Sequence, residues 1–218
     1  MMKKSLLSVV KGALLGLLAL AATASQAGLI LAFSGGNLGQ EAFAPGSTRG
    51  WSFSVTSTTI ADGLAIWDWT PNGLGLVQDH LVRLWDSSGN LLASQAITNA
   101  NSTPSASINA AGRWLVTSIS PLSLTLGPYV LGADYVVDSP DYFGLAATST
   151  VIEAGFAFLQ SGFALGYGFP ATTNSSFDPG LFGPNLRVVA SVPEPATLAL
   201  FGLGLAGLGA LRRKKLAA

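Results

Sequence analysis

Through the middle of the chain polar and apolar residues tend to alternate with a period of two, and no stretch there carries a 3.6-residue apolar stripe over three turns. Trp51-Ser52-Phe53-Ser54-Val55-Thr56 alternates strictly, as a strand with one buried face does. Leu64, Ile66 and Asp68 keep the period in the next segment. His80 to Trp85 and Leu91 to Ile97 are β-rich runs on either side of Asp86-Ser87-Ser88-Gly89-Asn90, and a cluster of turn formers containing glycine between two such runs predicts a hairpin. Further strands are expected at Arg113 to Ser118, Leu122 to Leu126, Tyr129 to Ala133, Val151 to Phe158 and Leu186 to Ala190, with Gly127-Pro128 as a turn. Residues 98–111 and 171–180 are small and polar and read as loops. Short strands with a turn signal every 8 to 12 residues predict an all-β domain, an antiparallel β-sandwich or jelly roll.

The two ends break this pattern. Lys3, Lys4 and Lys11 precede an apolar run, Gly12 to Ala22, and Ser25-Gln26-Ala27 puts small residues at the −3 and −1 positions of a cleavage site. That order is the order of a secretory signal peptide, here residues 1–27, cut between Ala27 and Gly28; Ala22-Thr23-Ala24 offers an alternative site slightly earlier. At the other end Val192-Pro193-Glu194-Pro195 is followed by sixteen uncharged residues, 196–211, and then by Arg212-Arg213-Lys214-Lys215. Two prolines around a carboxylate cannot continue a helix or a ladder, so the motif should be extended and exposed. The apolar run would make a helix of about 24 Å, a little short of a usual membrane span. Gly202, Gly204, Gly207 and Gly209 suit a membrane helix better than a soluble one, and the basic tetrad would hold the C-terminus on the cytoplasmic side as a stop-transfer signal.

These three parts, in this order, resemble the PEP-CTERM protein-sorting signal of Gram-negative bacteria. The resemblance implies recognition at Val192, Pro193, Glu194 and Pro195 by an exosortase-type transpeptidase, after signal peptidase has removed the leader. It implies an inner-membrane-anchored precursor, a transient stay in that membrane, and release to the cell envelope, outer surface or medium, in organisms that often make extracellular polysaccharide. Most of the stretch from 33 to 190, within a β-sandwich domain expected over 28–190, is also similar to a β-sandwich domain of surface-exported bacterial proteins, through Gly50-Trp51-Ser52-Phe53, Leu84-Trp85-Asp86-Ser87-Ser88-Gly89, Pro121 to Leu126 before Gly127-Pro128-Tyr129, and Phe182-Gly183-Pro184-Asn185. That similarity implies a fold and no activity.

Setting the ends aside changes the composition. The whole chain is neutral, but residues 28–192 hold four arginines against ten acids, a net charge of −6. An acidic body argues against nucleic acid as a partner. The chain has no cysteine, so an exported domain of this size must be held by its core alone.

Candidate chemistry is sparse. His80 is the single histidine and reads as a surface residue of a strand or turn; Asp79 beside it would point to the opposite face, and no Gly-x-Ser-x-Gly elbow accompanies it. One histidine without cysteine cannot build a zinc site, and no cofactor is expected. Asp62 with Asp68, or Asp138 with Asp141, are the carboxylate pairs a glycosidase would need. Asp134, Asp138 and Asp141 form the densest acidic stretch, a candidate for Ca²⁺ through carboxylate oxygens. Trp67 and Trp69, two residues apart on one strand, are candidates for stacking on a sugar. The reading expected from the sequence is a non-enzymatic exported protein with a structural or adhesive role at the cell surface or in a polysaccharide matrix or biofilm. A carbohydrate-binding module and an envelope glycosidase are the alternatives.

Overall fold

The computed structural model describes residues 27–32, 35–40, 46–69, 75–105, 112–137, 141–148, 150–173, 175, 178–180 and 182–189, all within the compact unit Gln26–Ala190. Among them the elements are strands: β1 (Ala27–Leu29), β2 (Leu31–Ala32), β3 (Gly35–Gln40), β4 (Ser47–Val55), β5 (Thr59–Asp68), β6 (His80–Asp86), β7 (Leu91–Ile97), β8 (Thr103–Pro104), β9 (Arg113–Leu124), β10 (Gly127–Tyr135), β11 (Phe143–Thr148), β12 (Val151–Ile152), β13 (Phe156–Leu165), β14 (Thr172–Thr173) and β15 (Pro184–Val189). No described helix is long and apolar enough to cross a membrane; the run 196–211 lies outside the described residues.

The fold is an antiparallel β-sandwich. One sheet runs β1-β15-β5-β9-β8, the other β14-β13-β4-β10-β6-β7, with two small pairs, β11-β3 and β12-β2, beside them. The inner faces supply the core: Trp51, Phe53 and Val55 of β4, Leu131 and Ala133 of β10 and Val82 and Leu84 of β6 belong to one buried cluster with Leu64 and Ile66 of β5 and Leu186 and Val188 of β15. Each buried large aliphatic or aromatic side chain contributes about 1.5–3 kcal/mol of apolar transfer, enough in sum to stabilise a domain without disulfides. Trp51 ties the sheets together, because its indole Nε1 donates to the Pro184 carbonyl at 2.9 Å.

The expected hairpin forms as β6 and β7. Asp86 shapes its turn by accepting from the Ser88 and Asn90 amides at 2.9 and 3.0 Å, and Gly89 takes φ +85° there, a conformation open to glycine. Elsewhere the boundaries differ from the sequence reading. The two strands expected between 113 and 126 are one strand, β9, with a register shift where Ala61 faces Leu122 and Gly63 faces Ser118; the intervening Ile119 to Pro121 absorb a residue that cannot donate to the ladder. The single strand expected over 151–158 is two, β12 and β13, separated by Gly155 at φ +92°. The two polar loops each contain a short strand, β8 and β14. Finally β4, whose alternation predicts one buried face, is buried on both, with burial at Ser47 through Phe53 and at Val55, because it lies inside the sheet and its outer face is partly covered by the segment 166–173.

Candidate functional site

Three places matter for function: the ends of the body, the buried cluster around the histidine, and the tryptophans. At the first, β1 pairs antiparallel with β15 so that Ala27 faces Val189 and Gly28 faces Val188. The expected signal cleavage pair therefore sits on the edge strand of a sheet, and the last strand of the body is its neighbour. The chain enters and leaves the domain side by side, at one end of one sheet. Val192, Pro193, Glu194, Pro195 and Arg212, Arg213, Lys214, Lys215 lie outside the described residues.

At the second place the expectation of a surface histidine is corrected: His80 is fully buried. Its Nδ1 lies 2.8 Å from the Asp134 carbonyl and its Nε2 3.0 Å from Asp141 Oδ2. A carbonyl only accepts, so Nδ1 donates to it, and Nε2 is left facing the Asp141 carboxylate. Asp141 also accepts from the Val77 amide at 2.9 Å and the Gln78 amide at 2.9 Å. Burial pushes its carboxyl up, but the bonds from His80, Val77 and Gln78 together with the histidine charge outweigh that and hold it below the ordinary carboxylate value. The carboxylate that His80 meets is not that of the adjacent Asp79, which strand geometry had set aside, but that of Asp141, 61 positions away.

The side chain of Asp134 points elsewhere, into a two-pronged pair with Arg83 at 2.8 Å on each prong and a 2.6 Å bond from Thr48 Oγ1. The two described members of the calcium candidate thus spend their carboxylate oxygens on protein donors, and Asp138 lies outside the described residues. Among the described residues no three His, Cys, Asp or Glu side chains group to hold a metal ion. Nor do the described aspartates face one another as an acid and base would. Asp62 pairs with Arg187 at 2.7 Å and Asp68 with Arg113 at 3.0 Å.

Arg49 differs from the other three arginines of the body. It is only 8% exposed, its guanidinium lies over the rings of Phe143 and Phe163 at 5.8 and 5.3 Å, and Nε has no hydrogen-bond partner. Burial lowers its pKa, with Tyr135 acting in the opposite direction. Tyr135, packed 4.7 Å from the His80 ring, is pushed far above the ordinary phenol value by burial and then by the Asp141 charge, with Arg49 opposing.

For the tryptophans the stacking expectation is also corrected. Trp67 is fully buried, edge-on to Trp114 at 5.2 Å, its direct partner across β5 and β9. The pair gives no open face to a sugar. Trp69, just past the end of β5, is half-buried and meets Tyr142 edge-on at 4.3 Å. Sequence spacing put both residues on one strand, but β5 ends at Asp68 and only Trp67 belongs to it; spacing also could not tell that β5 is covered on both faces.

Residues 191–214 match the model of the PEP-CTERM protein-sorting motif. The chain carries a PEP-CTERM sorting motif. The match spans the Pro-Glu-Pro segment, the apolar run and most of the basic cluster, the parts that the sequence singled out. The PEP-CTERM motif implies an exported protein, made as a membrane-anchored precursor and sorted by exosortase. Comparison with curated proteins and with solved structures returned no match.

Proposed function

We propose that this protein is a non-enzymatic component of the cell surface or of the extracellular polysaccharide matrix, delivered there by exosortase. The observation that carries the reading is the PEP-CTERM match at residues 191–214 behind an exportable, cysteine-free β-sandwich. The sequence features of the leader, with Ala27 and Gly28 at the cut, make signal peptidase the first processing partner. The covalent chemistry then belongs to the transpeptidase, and this chain supplies Val192 to Pro195 as the recognition segment. The sandwich is what is delivered. Its described ion pairs all lie within the body and bind element to element: Arg83 to Asp134, Arg113 to Asp68, Arg187 to Asp62 and His80 to Asp141.

Replacement of Pro193, Glu194 and Pro195 by alanine tests the sorting step. The expected product is a full-length protein retained in the membrane fraction, whereas the wild type is processed and leaves it. Processing and release of the variant like wild type, by fractionation and intact mass, would refute exosortase sorting through this segment.

A further inference from the structure

The outer face of the six-stranded sheet carries a trough that none of the readings above uses. Trp85, Val130, Ser52 and Gln160 form a row across β6, β10, β4 and β13, each facing the next in register. Central positions on a solvated sheet face normally carry long polar side chains, but here Ser52 and Val130 are short and leave a floor. The segment 166–173 crosses that face and forms a wall. Its Gly168 amide donates to Thr48 Oγ1 at 2.9 Å, and the Pro170 carbonyl lies so close over Gly162 of β13 that a β-carbon there would sit 2.7 Å from it. Phe169 stands edge-on over Trp85 at 5.7 Å. The space, open on one side, is about 230 Å³, a little below the roughly 300 Å³ at which drug-sized ligand pockets begin.

The lining decides the ligand class. Among the described residues no charged side chain borders the trough, which gives phosphate or carboxylate no ionic anchor there. Apolar surface comes from Phe169, Val130 and Pro128. Around it the amide of Gln160 and the hydroxyls of Ser87 and Thr173 bond to no described residue and are open to a ligand. An apolar patch ringed by uncommitted neutral donors and acceptors matches a ring that has an apolar face and an equatorial rim of hydroxyls. We propose that this trough binds one ring of a neutral saccharide, stacked on Phe169 and hydrogen-bonded by Gln160, Ser87 and Thr173. The inference deepens the matrix role and rests on that reading only for the source of the sugar; the site itself stands on its geometry.

The test uses the purified full chain in a zwitterionic detergent with no sugar head group. It is titrated with hexamers of glucose, mannose, galactose and N-acetylglucosamine, and with polygalacturonate as the charged control. Tryptophan emission reports binding because Trp85 lies under Phe169. At least one neutral hexamer should give a saturable change. Gln160→Ala, at an exposed position that leaves the fold intact, should weaken it about threefold to tenfold, the worth of one hydrogen bond. Phe169→Ala should weaken it by about tenfold or more, with its melting temperature measured alongside; Leu126→Ala, an exposed site outside the trough, should bind as wild type. No saturable binding of any neutral hexamer, binding of polygalacturonate alone, or a Gln160→Ala variant indistinguishable from wild type would each overturn the proposal. Sorting is read separately by fractionation, so a failure here leaves the delivery reading standing.

Discussion

The His80–Asp141 contact makes the sharpest energetic prediction. Asp141→Ala removes the acceptor for three donors at once: His80 Nε2 and the amides of Val77 and Gln78. His80 is fully buried, so the variant leaves its ring Nε2 facing a cavity with no acceptor and strands the two amides as well. Breaking a buried pair by removing one partner costs about 3–5 kcal/mol. For a domain of this size that is a fall of roughly 6–20 °C in melting temperature, measured at neutral pH on the full chain by tryptophan emission. The same contact sets a pH dependence whose sign follows from Asp141. Its folded pKa is depressed below the ordinary 3.8, so its contribution is complete above that value and is lost as the pH falls through the lower, folded value. The gap between wild type and Asp141→Ala should therefore be widest near neutrality and narrow on acidification below about pH 4. Other carboxylates titrate in both proteins and cancel in the difference. A gap under about 1 kcal/mol, or one that stays constant down to about pH 2, would refute the reasoning that a charged pair holds this end of the sandwich.

Two further outcomes follow from packing. Trp67→Ala should destabilise the protein by about 3–5 kcal/mol, because the ring is fully buried against Trp114; a denaturant midpoint close to wild type would show that the ring is in fact at the surface. Gly162→Ala should cost about 1–3 kcal/mol, since the added carbon meets the Pro170 carbonyl at 2.7 Å and backbone cannot swing aside. It should also disturb saccharide binding by lifting the wall of the trough, and an unchanged melting curve would show that the wall is loose.

How much of this was legible in the sequence depended on the range of the interactions involved. The sorting motif is contiguous, and its meaning is carried by composition and order alone, so it could be read directly. The β6–β7 hairpin was legible for the same reason, because its turn is five adjacent residues with Asp86 bonding its own neighbours. β1 to β3 and β11 were not visible: stretches such as GGNLGQ and FGLAAT offer glycine and alanine where a period of two needs contrast, and their pairing is fixed by distant partners. β5 showed a different failure, since its second half, Leu64 to Asp68, is buried throughout and alternation cannot reveal which face a tryptophan serves. His80 was misread because its charge partner is remote. The trough could not be found from sequence at all, being assembled from four strands and a crossing segment of unremarkable polar and apolar residues.

The pairing of Ala27 with Val189 has a use beyond sorting. Residues facing each other across antiparallel strands have Cα atoms about 4.5–5.5 Å apart, so the first and last strands of the sandwich present their ends almost as a single attachment point. Domains with adjoining ends tolerate insertion into other proteins and circular permutation. The sandwich should accordingly behave as a portable cassette: joined through a short linker at 27 and 189 and reopened at the exposed β6–β7 turn, it should keep its core, and spliced into a surface loop of an unrelated carrier it should fold without spreading the host's strands.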